Sequence, residues 1–224
     1  GLSDAQIIKE AKSKILITDA GNQSEIDALT LLILDFNGNV IKAVLDQELK
    51  SDKLEDMYVS LILPLLTKIG QLWQVNSINI IHEHYFSSIL REFLISKIDA
   101  ITTDPTPLKS AILFLHDNEE HEFSTLLYHY ILKQNGYVCH NFGQRVPINE
   151  IILAFSHIKP QMVVTTFTAK ISDKSFSKIE KVLKQMSKSA QVVISGSQVA
   201  HLDVELSKDF LHIKTPDQLK SLLR

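Results

Sequence analysis

The sequence predicts two folded parts of different class, an N-terminal helical bundle followed by a doubly wound α/β domain built on a parallel sheet. Three observations carry this reading. From Asp4 to about Ile101 apolar residues recur at helical spacing with few breakers. The stretch Thr-Thr-Asp-Pro-Thr-Pro at residues 102–107 then reads as an interdomain linker. Beyond it, short apolar runs alternate with amphipathic helices, the grammar of a parallel sheet covered on both faces. A chain of 224 residues is long enough for two domains of about 100 residues each. The expected boundaries are 1–100 for the bundle, 101–110 for the linker and 111–224 for the α/β domain.

In the bundle, Ile7, Ile8, Ala11 and Ile15 keep helical spacing, and Ile26, Leu29 and Leu32 continue it after the Gly21-Asn22-Gln23 break. Asn37-Gly38-Asn39 is a second break, followed by a short segment through Leu49. Two longer helices are predicted over residues 53–74 and 77–98, with Asn76-Ser77 supplying the N-cap of the second. Pro64 lies inside the first of these and is expected to kink or interrupt it.

In the second part, strands are predicted at 111–115, 137–142, 161–167, 191–195 and 210–213. Phe123, Leu126, Leu127, Tyr130 and Ile131 form a clean helix face between the first two, and Gly136 ends that helix. Helices follow at 147–158 and around Phe176, Ile179, Val182, Leu183 and Met186. Thr215-Pro216-Asp217-Gln218 reads as a capping box that opens the last helix.

Composition removes several function classes. No stretch approaches the roughly 20 apolar residues of a membrane helix. Lys plus Arg total 23 against 26 for Asp plus Glu, so the basic excess of a free-standing nucleic-acid binder is missing. Any DNA-reading part is expected elsewhere. Cys139 is the sole cysteine and no signal-peptide pattern opens the chain, which points to a reducing cytoplasm. Nothing in the sequence suggests a catalytic acid–base pair, so a non-enzymatic role is expected.

Two clusters could carry chemistry. Ligands of open α/β sheets bind beyond the carboxyl ends of strands, and the loop after the first predicted strand reads His116-Asp117-Asn118-Glu119-Glu120-His121-Glu122. It is either a solvated acidic loop or a place where His121 ligates a metal, its second ring nitrogen held by Glu119. One histidine is no zinc site, whereas a metal already held by a macrocycle needs a single axial ligand. Spacing alone leaves both readings open. The second cluster is Gly70-Gln71-Leu72-Trp73 with Ile81-His82-Glu83-His84. His82 and His84 are two apart on a predicted helix, which disfavours the paired-histidine zinc motif. A core tryptophan with ordinary surface polar groups is the plain alternative here.

Residues 57–98, through Leu63-Pro64, Ile69-Gly70-Gln71-Leu72-Trp73 and Glu83-His84, resemble the helical module that precedes cobalamin-binding domains. Glu119-Glu120-His121, Gly136-Tyr137 and Phe142-Gly143-Gln144-Arg145-Val146-Pro147 resemble the B12-binding domain itself. The combination is similar to the C-terminal sensor region of MerR-family transcriptional regulators of the light-sensing CarH/LitR kind. The resemblance implies a Rossmann-like, flavodoxin-type sheet and a cobalamin cofactor, adenosylcobalamin or methylcobalamin. It implies His121 as the lower axial cobalt ligand and Glu119 as the acidic member of the Glu-x-His motif. It places Trp73 over the upper corrin face, with Glu83 and His84 bordering that face. Ser124 stands at the mouth of the channel for the nucleotide tail. Thr165 and Thr166 stand where a hydroxyl residue contacts that tail, and Ser195-Gly196 at a close-approach turn.

The function so implied is a ligand-sensing and oligomerisation region that forms a homo-oligomer. It would meet DNA only through an N-terminal helix-turn-helix that this chain does not contain. The same fold also serves as a cofactor-free oligomerisation domain or as the corrinoid carrier of a methyltransferase system. Two positions depart from the family pattern: Ser124 replaces a glycine, and Gln74 replaces the histidine that follows the tryptophan in light-sensing members.

Overall fold

The computed structural model describes residues 22–102, 109–202 and 207–223. The periodic segment around Ile7–Ile15 and most of the expected linker, residues 103–108, lie outside the described residues. The chain divides into two compact units, Gly1–Phe93 and Leu94–Arg224.

The helical unit contains α1 (Asn22–Leu34), α2 (Gly38–Ser51), the short α3 (Leu54–Met57), α4 (Leu63–Gln74) and most of α5 (Ile80–Asp99). Its core collects Leu29, Ile33, Ile41, Leu45, Leu54, Ile62, Leu65 and Phe86, all essentially inaccessible to water. Asp27 of α1 and Lys68 of α4 form an ion pair at 2.5 Å.

Between α3 and α4 the backbone runs as a π-helical turn, Tyr58–Ile62, and Pro64 sits in the first turn of α4. The expected interruption is thus a π-turn just ahead of the proline. Proline has no N–H and its ring collides with the carbonyl four residues earlier, so widening the preceding turn removes the clash.

The expected N-cap at Asn76-Ser77 is displaced. Asn76 has φ +56° and closes α4 instead. The Ser77 N–H donates to Leu72 O at 2.8 Å and the Asn76 N–H to Trp73 O at 2.9 Å, the paired bonds of a Schellman end. Helix α5 begins three residues later, where His82 Nδ1 lies 3.2 Å from the Asn79 backbone nitrogen. A short polar residue between two helices can serve either one, and here the left-handed conformation decides for the first.

The α/β unit holds a five-stranded, all-parallel sheet in the order β2-β1-β3-β4-β5. The strands are β1 (Lys109–Phe114), β2 (Tyr137–Asn141), β3 (Met162–Thr166), β4 (Gln191–Ser195) and β5 (Phe210–His212). The helices are α6 (Phe123–Gln134), α7 (Ile148–Ile158), α8 (Asp173–Met186) and α9 (Pro216–Leu222). After β4 the described residues form a 3₁₀ segment, Ser197–His201, rather than an α-helix. Ile112, Phe114, Val163, Phe167, Val192 and Ile194 pack against Ile151 of α7 and Phe176, Ile179 and Leu183 of α8. Leu126, Leu127, Ile131 and Leu132 of α6 are buried too. The strand order reverses between β1 and β3, so the loops after these two strands stand side by side at the crevice where such folds bind ligands.

Candidate functional site

The loop after β1 is set by the loop after β2. Phe142 N–H donates to Leu113 O, Leu115 N–H to Gly143 O and Val146 N–H to Leu115 O, all within 2.9 Å. His116 and Val146 form an isolated bridge. The chain then turns through Asp117-Asn118, with the Glu119 N–H donating to His116 O at 2.8 Å. This turn sends Glu119 inward and leaves His121 at the surface.

Glu119 is completely buried, yet four backbone N–H groups and the His121 ring meet its carboxylate. One carboxylate oxygen accepts the backbone N–H of Thr168 at 2.6 Å and of Ala169 at 2.7 Å, from the loop after β3. The other accepts the N–H of His121 at 2.9 Å, the N–H of Glu120 at 3.0 Å and the His121 Nδ1 at 2.6 Å. Burial by itself pushes the carboxyl up, but the His121 ring and the N–H groups of His121, Ala169 and Thr168 outweigh it and hold the group at about 2. An ionised carboxylate accepts only, so Nδ1 of His121 carries the proton. In the neutral ring the lone pair is then on Nε2, across the ring from Glu119. The His121 side chain is 61% exposed.

This arrangement suits one axial position on a metal that a macrocycle already holds. Among the described residues no group of three or more His, Cys, Asp or Glu could hold a metal ion. Within this acidic loop Asp117, Asn118 and Glu120 are exposed, and Glu119 alone is wholly buried and oriented by five donors.

The seam between α6 and the sheet holds two buried hydroxyl pairs. Thr125 Oγ1 lies 3.2 Å from Thr166 Oγ1, and the Tyr128 hydroxyl lies 2.8 Å from Ser195 Oγ. Thr165 is on the other sheet face, in the layer of Val163 and Phe167, because consecutive strand residues point to opposite sides. Its Oγ1 has no partner among the described residues. Ser124 is half-buried in the first turn of α6.

Gly196 has φ +108°, and a Cβ there would overlap the backbone of Phe167. The Phe167 N–H donates to Ser195 O at 2.8 Å, and Phe167 O accepts from the Gln198 N–H at 2.9 Å. Gly196 therefore fixes the segment whose next two N–H groups hold Glu119.

In the helical unit, Trp73 is 45% exposed and is no core residue. Gln74 ends α4, exposed. Glu83 and His84 pair through Nδ1 at 2.8 Å, and Ser87 Oγ donates to Glu83 at 2.6 Å. His82 is apart from them, stacked on Phe36 with ring centroids 4.8 Å apart.

Sequence reasoning missed Thr125, Tyr128 and the two N–H groups at Thr168 and Ala169. Thr125 and Tyr128 are three apart on the sheet-facing stripe of α6, a spacing that could have identified them. Backbone donors leave no trace in residue identity. His116, in the loop after β1, is buried and stacked on Phe167 at 5.1 Å. Burial pushes its pKa down, against the pull of Glu119 and Asp117, and its Nε2 has no partner among the described residues.

Residues 25–95, covering much of the helical unit, match a family model described as a B12 binding domain. The HTH-type transcriptional repressor CarH of Myxococcus xanthus is 27% identical over 143 residues, 58% of this chain and 46% of the repressor. The matched part thus spans less than half of that relative. The monomethylamine corrinoid protein of Methanosarcina barkeri shares the fold at 12% identity, with a TM-score of 0.66 and 99% of each chain covered. The match to the B12 binding domain supports cobalamin as the cofactor, and the corrinoid protein shares the fold. No described helix is long and apolar enough to cross a membrane.

Proposed function

Taking a B12-type domain as the premise, we propose that this chain is the corrinoid-sensing region of a MerR-type regulator and that His121 is its axial ligand to cobalt. The observation that carries the reading is the buried Glu119 carboxylate holding His121 Nδ1 at 2.6 Å, which presents Nε2 as the donor. Glu119 orients the ring and raises its basicity. Thr168, Ala169 and Gly196 act through Glu119. From the helical unit, Trp73, Glu83 and His84 are the proposed corrinoid contacts: a half-exposed indole for an apolar surface and a Glu–His hydrogen-bonded pair for polar groups. Bound cobalamin would supply a cobalt centre whose upper-ligand bond is the element open to a signal. In this reading the protein works in the cytoplasm as a homo-oligomer, and DNA is contacted through a helix-turn-helix outside this chain.

The test is reconstitution. Protein mixed with adenosylcobalamin or methylcobalamin and desalted should keep the cofactor's visible spectrum, and His121→Ala should lose the histidine-ligated signature. Colourless wild-type protein would refute the reading.

A second expectation concerns Trp73. Trp73→Ala should weaken retention of adenosylcobalamin more than that of hydroxocobalamin, since only the first brings a bulky apolar group to be packed. Dissociation constants from spectral titration check it, and equal losses would remove Trp73 from the proposed contacts.

A further inference from the structure

The mouth of the α6–sheet seam lies at the same end of the sheet as the Glu119–His121 loop, because α6 starts two residues after His121. That seam is filled. Thr125 and Tyr128 are buried, as are Thr166 and Ser195 opposite them. The hydroxyls pair across the seam, 3.2 Å for the threonines and 2.8 Å for Tyr128 with Ser195. Each of the four therefore has a partner inside the protein.

Cobalamin carries a nucleotide arm that ends in a benzimidazole base. A histidine on cobalt displaces that base, and the arm must then lie either in the seam or outside it. The base is larger than the phenol ring of Tyr128, so both cannot occupy the seam together. Admitting the arm would break two buried hydroxyl pairs and move a tyrosine out of a packed layer.

We propose that this chain holds its corrinoid with the nucleotide arm outside the α6–sheet seam, so that the corrin ring and its cobalt, and not the lower base, are what it recognises. Tyr128 is the specificity-determining residue. The inference rests on the corrinoid reading above and adds which corrinoids the site takes: those with any lower base, or with none.

The experiment compares hydroxocobalamin with aquocobinamide, which lacks the nucleotide, by visible-spectral titration of the wild-type protein. Cobinamide is expected to bind at least as tightly as cobalamin. Cobalamin tighter by about tenfold or more would overturn the inference while leaving His121 ligation intact. Binding of neither would overturn the corrinoid reading and this inference with it. Tyr128→Phe keeps the ring and removes the hydroxyl, so the ratio of the two constants should not change. Tyr128→Ala opens the seam and should shift the ratio toward cobalamin by about tenfold. An unchanged ratio in a folded Tyr128→Ala protein would remove Tyr128 from the role.

Discussion

Replacing Glu119 by Gln should destabilise the protein by about 3 kcal/mol at neutral pH. A fully buried carboxyl held at about 2 against its ordinary 4.5 contributes about that much through its protonation equilibrium. Gln keeps the shape but replaces one acceptor oxygen with an NH₂ group. That group would face N–H donors, from Thr168 and Ala169 on one side or from Glu120 and His121 on the other. The loss is a large part of the stability of an ordinary domain. The pH dependence identifies the cause. Because the folded pKa is depressed, the wild-type contribution is complete above about pH 5 and disappears as pH falls toward 2. The gap between wild type and Glu119→Gln should therefore close on acidification. Chemical denaturation at several pH values measures it, and a gap independent of pH would contradict the assignment.

Gly196→Ala should cost at least about 3 kcal/mol or prevent folding of the α/β unit. At φ +108° an L residue is strained, and the added methyl overlaps Phe167 backbone atoms that are tied in two hydrogen bonds. The backbone must move, and Thr168 and Ala169 move with it. A variant that still folds should thus show a smaller acid-linked change in stability, because Glu119 has lost donors. A denaturation midpoint within experimental error of wild type would mean that the turn relaxes freely.

Much of this was legible in residue order. Alternating apolar runs gave the parallel sheet, whereas the Glu119-x-His121 spacing left two readings open, and only the folded loop shows the His121 ring held by Glu119. Pro64 marked the helix interruption, though not that it takes the form of a π-turn, because proline dictates what is excluded and not which relaxation is used. The Asn76-Ser77 cap was misplaced because a polar residue between two helices suits either terminus. The resemblance places Thr165 and Thr166 together at the nucleotide tail, but a strand divides neighbours between its faces. The donors at Thr168 and Ala169 come from a loop some fifty residues away in sequence from Glu119, and only the sheet order brings them together.

The central claim, that His121 is the cobalt ligand, has a direct spectroscopic test. Cob(II)alamin bound to protein prepared with ¹⁵N-labelled histidine should show an electron paramagnetic resonance spectrum with doublet nitrogen splitting from the labelled axial ligand. The same spectrum with ¹⁴N-histidine should be a triplet, and His121→Ala should abolish the label's effect. A triplet that persists with labelled histidine would show that the axial nitrogen comes from the cofactor's own base, and would contradict ligation by His121.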